Sequence, residues 1–149
     1  MRTISEVVID LQGAIPASLE ALESVCRRLR ESLEPRLSRA DLFAAELLFR
    51  ELATNAVVHG CRSDAARSIC YEIRLHPDRL VLAVEDDGDG FDWRSRMGRQ
   101  ADPESDCGRG LSIFRLYAAE VGFNETGNRV ELTRPLARKG NEDGLSSRP

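Results

Sequence analysis

Glu51-Leu52-Ala53-Thr54-Asn55-Ala56-Val57-Val58-His59-Gly60 sets a carboxylate, a carboxamide and an imidazole four residues apart in an otherwise apolar run. Residues at i and i+4 share a helix face, so Glu51 and Asn55 can address one spot. His59, at i+8, drifts about 80° around the helix from Glu51 and lies beside it, nearer the C-terminal end. Polar tips on a buried face are costly unless something polar satisfies them. The rest of the chain is therefore read as the remainder of a site.

Working outward, Leu42, Phe43, Ala45, Leu48, Phe49, Leu52, Ala56 and Val57 predict a helix over 39–59, capped by Ser38 or Asp41 and stopped by Gly60. Upstream, Glu6–Leu11 is β-branched and reads as a strand. Pro16 opens a helical pattern over 17–33, which Pro35 breaks. The Arg27, Arg28 and Arg30 face of that helix is either solvated or a partner contact. Downstream, Ile69–His76 alternates and Leu80–Glu85 follows a Pro77-Asp78 turn, which predicts a hairpin. The polar stretch Trp93–Cys107 is expected to be a mobile loop. A helix over 111–120 and a final pair of strands, Val121–Asn124 and Arg129–Arg134 about a Gly127-Asn128 turn, complete the order. Residues 1–136 are expected to form one domain and 137–149 a disordered tail. Strand, two helices, hairpin, loop, helix, hairpin predicts an α+β, two-layer α/β sandwich: a mostly antiparallel mixed sheet with helices on one face.

Composition narrows the chemistry. A chain of 149 residues with 42% hydrophobic and 31% charged residues suits one globular domain. A net charge of −4 makes no electrostatic case for nucleic acid. No window is long and apolar enough to span a membrane, and Met1–Leu11 lacks the plan of a signal peptide, so the expected location is cytoplasmic. Cys26, Cys61, Cys70 and Cys107 lack paired CxxC spacing, so neither a zinc site nor a disulfide framework is expected. Lys139 is the sole lysine, in the tail, where it serves neither a P-loop nor a Schiff base. A nucleotide bound here needs another architecture.

Two further stretches carry chemistry. Asp86-Asp87-Gly88-Asp89-Gly90 reads as a calcium loop, as a surface turn, or as a strand-end carboxylate followed by glycines that let a flat ligand lie close to backbone. A calcium loop wants Asp first and a bidentate Glu last, whereas the matching register here has Glu85 and Arg96. Gly108-Arg109-Gly110 before Leu111 either shapes a turn or presents N–H groups at a helix start to phosphate, with Arg109 adding a charged contact.

Taken together, Glu51…Asn55…His59, Asp86-x-Gly88-x-Gly90 and Gly108-x-Gly110-Leu111 resemble the ATP-binding superfamily of gyrase, MutL and the histidine kinases over about residues 5 to 135. The runs Glu51–Gly60 and Gly108-Arg109-Gly110-Leu111-Ser112-Ile113 are most similar to the small anti-sigma-factor serine kinases of that superfamily. The resemblance implies the histidine-kinase-like ATPase fold, ATP or ADP with Mg²⁺ as cofactors, and a role for each residue. Asn55 would ligate Mg²⁺, and Asp86 would accept a hydrogen bond from the adenine amino group. Gly88 and Gly90 would let base and lid approach. Gly108, Arg109, Gly110 and Leu111 would form the phosphate box. Glu51 would be the general base toward an incoming hydroxyl. His59 would either line the phosphate end or serve a structural capping or core role.

The implied function is serine/threonine protein kinase and anti-sigma factor in partner switching. The substrate would be a serine of an STAS-type anti-anti-sigma protein and the other partner a sequestered sigma factor, with homodimers common in the family. A nucleotide-gated protein-binding regulator with little or no kinase activity is the alternative, and turnover of a partner serine separates the two.

Overall fold

The computed structural model describes residues 6–88 and 106–136, with backbone alone over 106–111. Strand β1, Ile9–Pro16, leads through Ser18 into α1, Leu19–Leu33. The Ser18 hydroxyl accepts from the Ala21 N–H at 3.1 Å, satisfying one of the orphan donors of the first turn. The predicted strand was set three residues early, and Pro16 ends β1 instead of opening the helix. Pro16 is tolerated there because β1 is an edge strand, hydrogen-bonded only to its neighbour β2, Ser68–Leu75. A 3₁₀ turn at Glu34–Arg36 holds Pro35. Helix α2, Arg39–Asn55, is capped by Ser38, whose hydroxyl accepts from the Asp41 N–H at 3.1 Å. Of the two predicted caps, Ser38 is the one used.

Strand β3, Arg79–Asp86, turns back on β2 with Leu75 facing Leu80 and Ile69 facing Asp86. Helix α3, Asp106–Tyr117, precedes β4, Glu120–Phe123, and β5, Arg129–Pro135. The sheet order is β1-β2-β3-β5-β4, and all four pairings are antiparallel. The predicted α+β sandwich is thus present, with a purely antiparallel sheet in place of a mixed one. Strands β2–β3 and β4–β5 are sequential hairpins, which run antiparallel by construction. The long connection from β3 to β4 lets β5 pair on β3 and leaves β4 at the second edge.

Alternation along the strands sends one set of side chains to the helices: Ile69, Ile73, Leu80, Leu82, Val130 and Leu132 are buried against Leu48, Phe49 and Leu52 of α2 and Phe114 of α3. The opposite face carries charge. Arg129 pairs with Glu72 at 2.6 Å and with Glu85 at 3.7 Å across three strands. Arg134 does the reverse and reaches into the helical layer. Its Nε and Nη2 donate to one oxygen of Asp41, at 3.1 and 3.0 Å, and its Nη1 donates to the Tyr117 carbonyl at 2.7 Å. One guanidinium therefore ties the first turn of α2 to the last turn of α3, where both helix dipoles favour the charges present.

Among the described residues no helix is long and apolar enough to cross a membrane. Cys26 and Cys61 are buried and Cys70 is exposed, each as a free thiol. Of the expected loop Trp93–Cys107, residues 93–105 lie outside the described residues, as does the tail 137–149, and Asp106 and Cys107 belong to α3 instead.

Candidate functional site

Helix α2 buries Leu48, Phe49, Leu52 and Ala53 on one side and ends at Asn55, itself only 7% exposed. The helix was expected to run unbroken to His59. Instead the chain widens into a π turn over Ala56–Gly60, in which the Cys61 N–H bonds the Ala56 carbonyl at 2.8 Å, five residues back. Such turns are rare and often mark functional sites. This one ends with Gly60 against the Asp86 carboxylate: a Cβ on Gly60 would lie 2.2 Å from Asp86 Oδ2. The next glycine is equally constrained, since a Cβ on Gly88 would lie 2.0 Å from the Gly60 carbonyl oxygen. Two of the chain's glycines are thus required by the mutual approach of the α2 terminus and the end of β3.

Asp86, at the end of β3, is also 7% exposed. Its Oδ1 accepts from the Gly88 N–H at 2.8 Å, and its Oδ2 has no donor among the described residues. Burial pushes the carboxyl above the usual carboxylate range, the Gly88 N–H pulls the other way, and neighbouring Asp87 and Glu85 add to the rise. Asp87 points elsewhere: its carboxylate accepts from the Ser68 N–H at 3.2 Å and lies 3.7 Å from the Cys61 thiol, which burial holds above its ordinary pKa.

Asn55, Gly60, Asp86, Gly127 and Asn128 line one cavity of ≈ 10 Å³, walled otherwise by Leu52, Ala56, Val84 and Val130. That volume is about one water molecule. The cavity's walls are largely apolar and its polar groups are few. The Asn55 carboxamide makes no hydrogen bond among the described residues. A carboxamide oxygen is a hard ligand and fits a hard cation such as Mg²⁺.

The structure therefore brings Asn55, Asp86 and Gly88 together. Glu51 lies one turn before Asn55, half-buried, outside that cavity and without a hydrogen bond or ion pair among the described residues. His59 sits half-buried in the π turn and does not line the cavity. Gly108, Arg109, Gly110 and Leu111 fall within α3, which begins at Asp106; the predicted glycine turn before the helix is part of its first turns. There the N–H groups of the opening residues have no partner within the helix, so Gly108 can still present one. The side chains of Arg109 and Leu111, and all of Gly90, lie outside the described residues.

Sequence reasoning missed Gly60, Gly127 and Asn128 as site residues. Gly60 was read as a helix stop and Gly127-Asn128 as a turn. Only the pairing of β5 beside β3 places that turn over the end of β3.

Comparison with known proteins gives the family. A family profile described as "Histidine kinase-like ATPase domain" matches residues 15–134. Serine-protein kinase RsbW of Bacillus licheniformis is 27% identical over 115 residues, 71% of this chain and 72% of that protein. Serine-protein kinase RsbW of Bacillus subtilis (strain 168) is 30% identical over 95 residues, 58% of this chain and 59% of that one. Among solved structures, the histidine kinase domain of the blue-light activated histidine kinase from Erythrobacter litoralis EL346 aligns with a TM-score of 0.49 at 17% identity, over 91% of this chain and 67% of that domain. With a helix-end Asn55, a strand-end Asp86 and a profile spanning most of its length, the chain belongs to the family of histidine kinase-like ATPase domains.

Proposed function

We propose that the chain is an ATP-dependent serine/threonine protein kinase that acts as an anti-sigma factor in partner switching. It phosphorylates a serine of an STAS-type anti-anti-sigma protein and holds a sigma factor, as a homodimer in the cytoplasm. The relatives named serine-protein kinase support this reading. The observation that carries it is the placement of Glu51: a half-buried carboxylate with no hydrogen bond or ion pair among the described residues, one helical turn from the buried Asn55.

In this reading Asp86 accepts a hydrogen bond from the adenine amino group, and the opening turns of α3, with Gly108, Arg109, Gly110 and Leu111, meet phosphate. His59 borders the phosphate end. Asn55 would hold Mg²⁺, which would supply charge neutralisation there. Glu51 takes the proton of the serine hydroxyl. The hydroxyl oxygen bonds to the γ-phosphorus while the bond from that phosphorus to the bridging oxygen breaks, and ADP leaves. Positioning and charge neutralisation account for most of such catalysis.

The test uses Glu51→Gln and Asn55→Ala beside wild type. Glu51→Gln is expected to keep Mg²⁺-dependent ATP binding by calorimetry while transfer to a partner serine falls by roughly 10²-fold or more. Asn55→Ala is expected to lose the Mg²⁺-dependent part of binding. Unchanged transfer in Glu51→Gln would reject the general base. Wild-type binding of ATP without any transfer would leave the nucleotide-gated regulator as the function.

A further inference from the structure

The backbone of Asp86 is held in an unusual way. Toward β2 it pairs with Ile69, but the regular β3–β5 ladder ends one residue earlier, at Glu85 and Arg129. On that side one residue closes both of the remaining groups. The Asn128 carbonyl accepts from the Asp86 N–H at 2.8 Å, and the Asn128 Nδ2 donates to the Asp86 carbonyl at 3.0 Å. The orientation of the Asn128 amide is itself fixed. Its Oδ1 accepts from Asn124 Nδ2 at 2.5 Å and from the Thr126 hydroxyl at 2.8 Å, which leaves only the NH₂ group for Asp86. The Asn124 amide is fixed in turn, because its Oδ1 accepts from the N–H groups of Gly127 and Arg129 at 2.8 and 3.2 Å. Gly127, at φ 81, makes the tight turn that brings these groups together. Gly127 and Asn128 also line the cavity that Asp86 and Asn55 share.

We propose that Asn128 is a positioning residue for base recognition, and that the 124–128 turn, through its grip on both backbone groups of Asp86, sets the selectivity of the site for a 6-aminopurine. The inference rests on the reading of Asp86 as the acceptor for the base. A carboxylate selects between a ring amino group and a ring carbonyl only when its oxygen is held at hydrogen-bonding distance. A shift of a few tenths of an ångström lengthens that bond and weakens the discrimination. Asn128 touches the backbone, not the base, and so acts through Asp86.

The experiment measures ATP and GTP binding to the full chain by calorimetry, well below the melting temperature, for wild type, Asn128→Ala, Thr126→Val and Asp86→Asn. A variant that is merely less stable loses both affinities in proportion, so the ATP:GTP ratio is the readout that a purely structural role leaves unmoved. Asn128→Ala is expected to lower the ratio about tenfold, the usual scale of one well-made buried hydrogen bond. Thr126→Val, on the exposed rim of the turn, is expected to lower it about two- to threefold by freeing the Asn128 amide to rotate. If Asn128→Ala does not fold, Thr126→Val decides. A wild-type ratio in the folded Asn128 variant, or in Thr126→Val where that is the only folded one, with a changed ratio in Asp86→Asn, overturns the role of Asn128 and leaves Asp86 as the base reader. A wild-type ratio in Asp86→Asn, or no preference in the wild type, overturns the reading of Asp86 and this inference with it.

Discussion

Among the described residues two carboxylates are buried in the helix–sheet layer, and they are treated in opposite ways. Asp41 is 4% exposed and meets a guanidinium that also holds the end of α3. Asp86 is 7% exposed and, among the described residues, accepts one hydrogen bond, from the Gly88 N–H to Oδ1, and makes no ion pair, with Arg67 acting on it only from a distance. Leaving a charge in low dielectric without a counter-ion is expensive. The fold bears that expense at Asp86, where a ligand is expected, and avoids it at Asp41, where none is. A buried acid with a cation is architecture; a buried acid with an open acceptor is what the proposed base recognition needs. Asp41 is not fully satisfied either, since its Oδ2 is buried with no donor. That makes the pair depend on Arg134 alone.

Breaking the paired side has the largest expected effect. Arg134→Leu leaves the Asp41 carboxylate buried and uncompensated and frees the Tyr117 carbonyl. The expected loss is about 3 kcal/mol of unfolding free energy, at the low end for a buried pair because Arg134 is partly exposed. Urea denaturation measures it. The ATP:GTP preference of the folded variant should not change, since Asp86 keeps all its contacts. A loss under about 1 kcal/mol would make the pair no better than a surface one and would remove the contrast with Asp86.

On the other side, Gly88→Ala disturbs Asp86 by steric means. Its Cβ would meet the Gly60 carbonyl, a backbone atom that has little room to retreat. The expected cost is about 1–3 kcal/mol, the range for overpacking a close contact, together with loss of nucleotide binding because Gly60 and Asp86 must separate. Denaturant melts and ATP calorimetry on one sample measure both. Full stability with full affinity would show that the α2 terminus and the β3 end do not need to touch.

The contrast also marks how far the residues could be read without coordinates. The strands of the β2–β3 hairpin and the α2 pattern were legible because each rests on local periodicity, whereas the joining of a helix-borne Asn55 with a strand-end Asp86 was implied only by the family resemblance. The Asp41–Arg134 pair joins residues 93 apart, and no spacing announces it. Asn128 was hidden for a related reason: its function depends on β5 lying beside β3, a fact of sheet order. Gly60 was seen, but as a helix stop. The π turn that carries it against Asp86 gains one residue per rung, and the apolar pattern through Ala56 and Val57 fits an α-helix as well as a π turn. The start of β1 was misplaced because Glu6–Leu11 and Ile9–Pro16 are both plausible strands until β2 fixes the register.

The smallest effect on stability, and the sharpest on the contrast, comes from Asp86→Asn. Folded Asp86 keeps its proton to a higher pH than the unfolded chain does, because burial disfavours the ionised form. Between the unfolded and the raised folded pKa the native state therefore binds more protons. In that window stability falls as pH rises, and the deficit persists at neutral pH. Asparagine has the same shape and no charge to bury. The variant is expected to melt at or above the wild-type temperature at pH 7, to lose that segment of the pH slope, and to lose its preference for ATP over GTP. Thermal melts from acid to neutral pH check the first two, and nucleotide calorimetry the third. A variant less stable than wild type at pH 7 would mean that the carboxylate is compensated in the apo protein after all. Asp86 would then belong with Asp41, as part of the architecture.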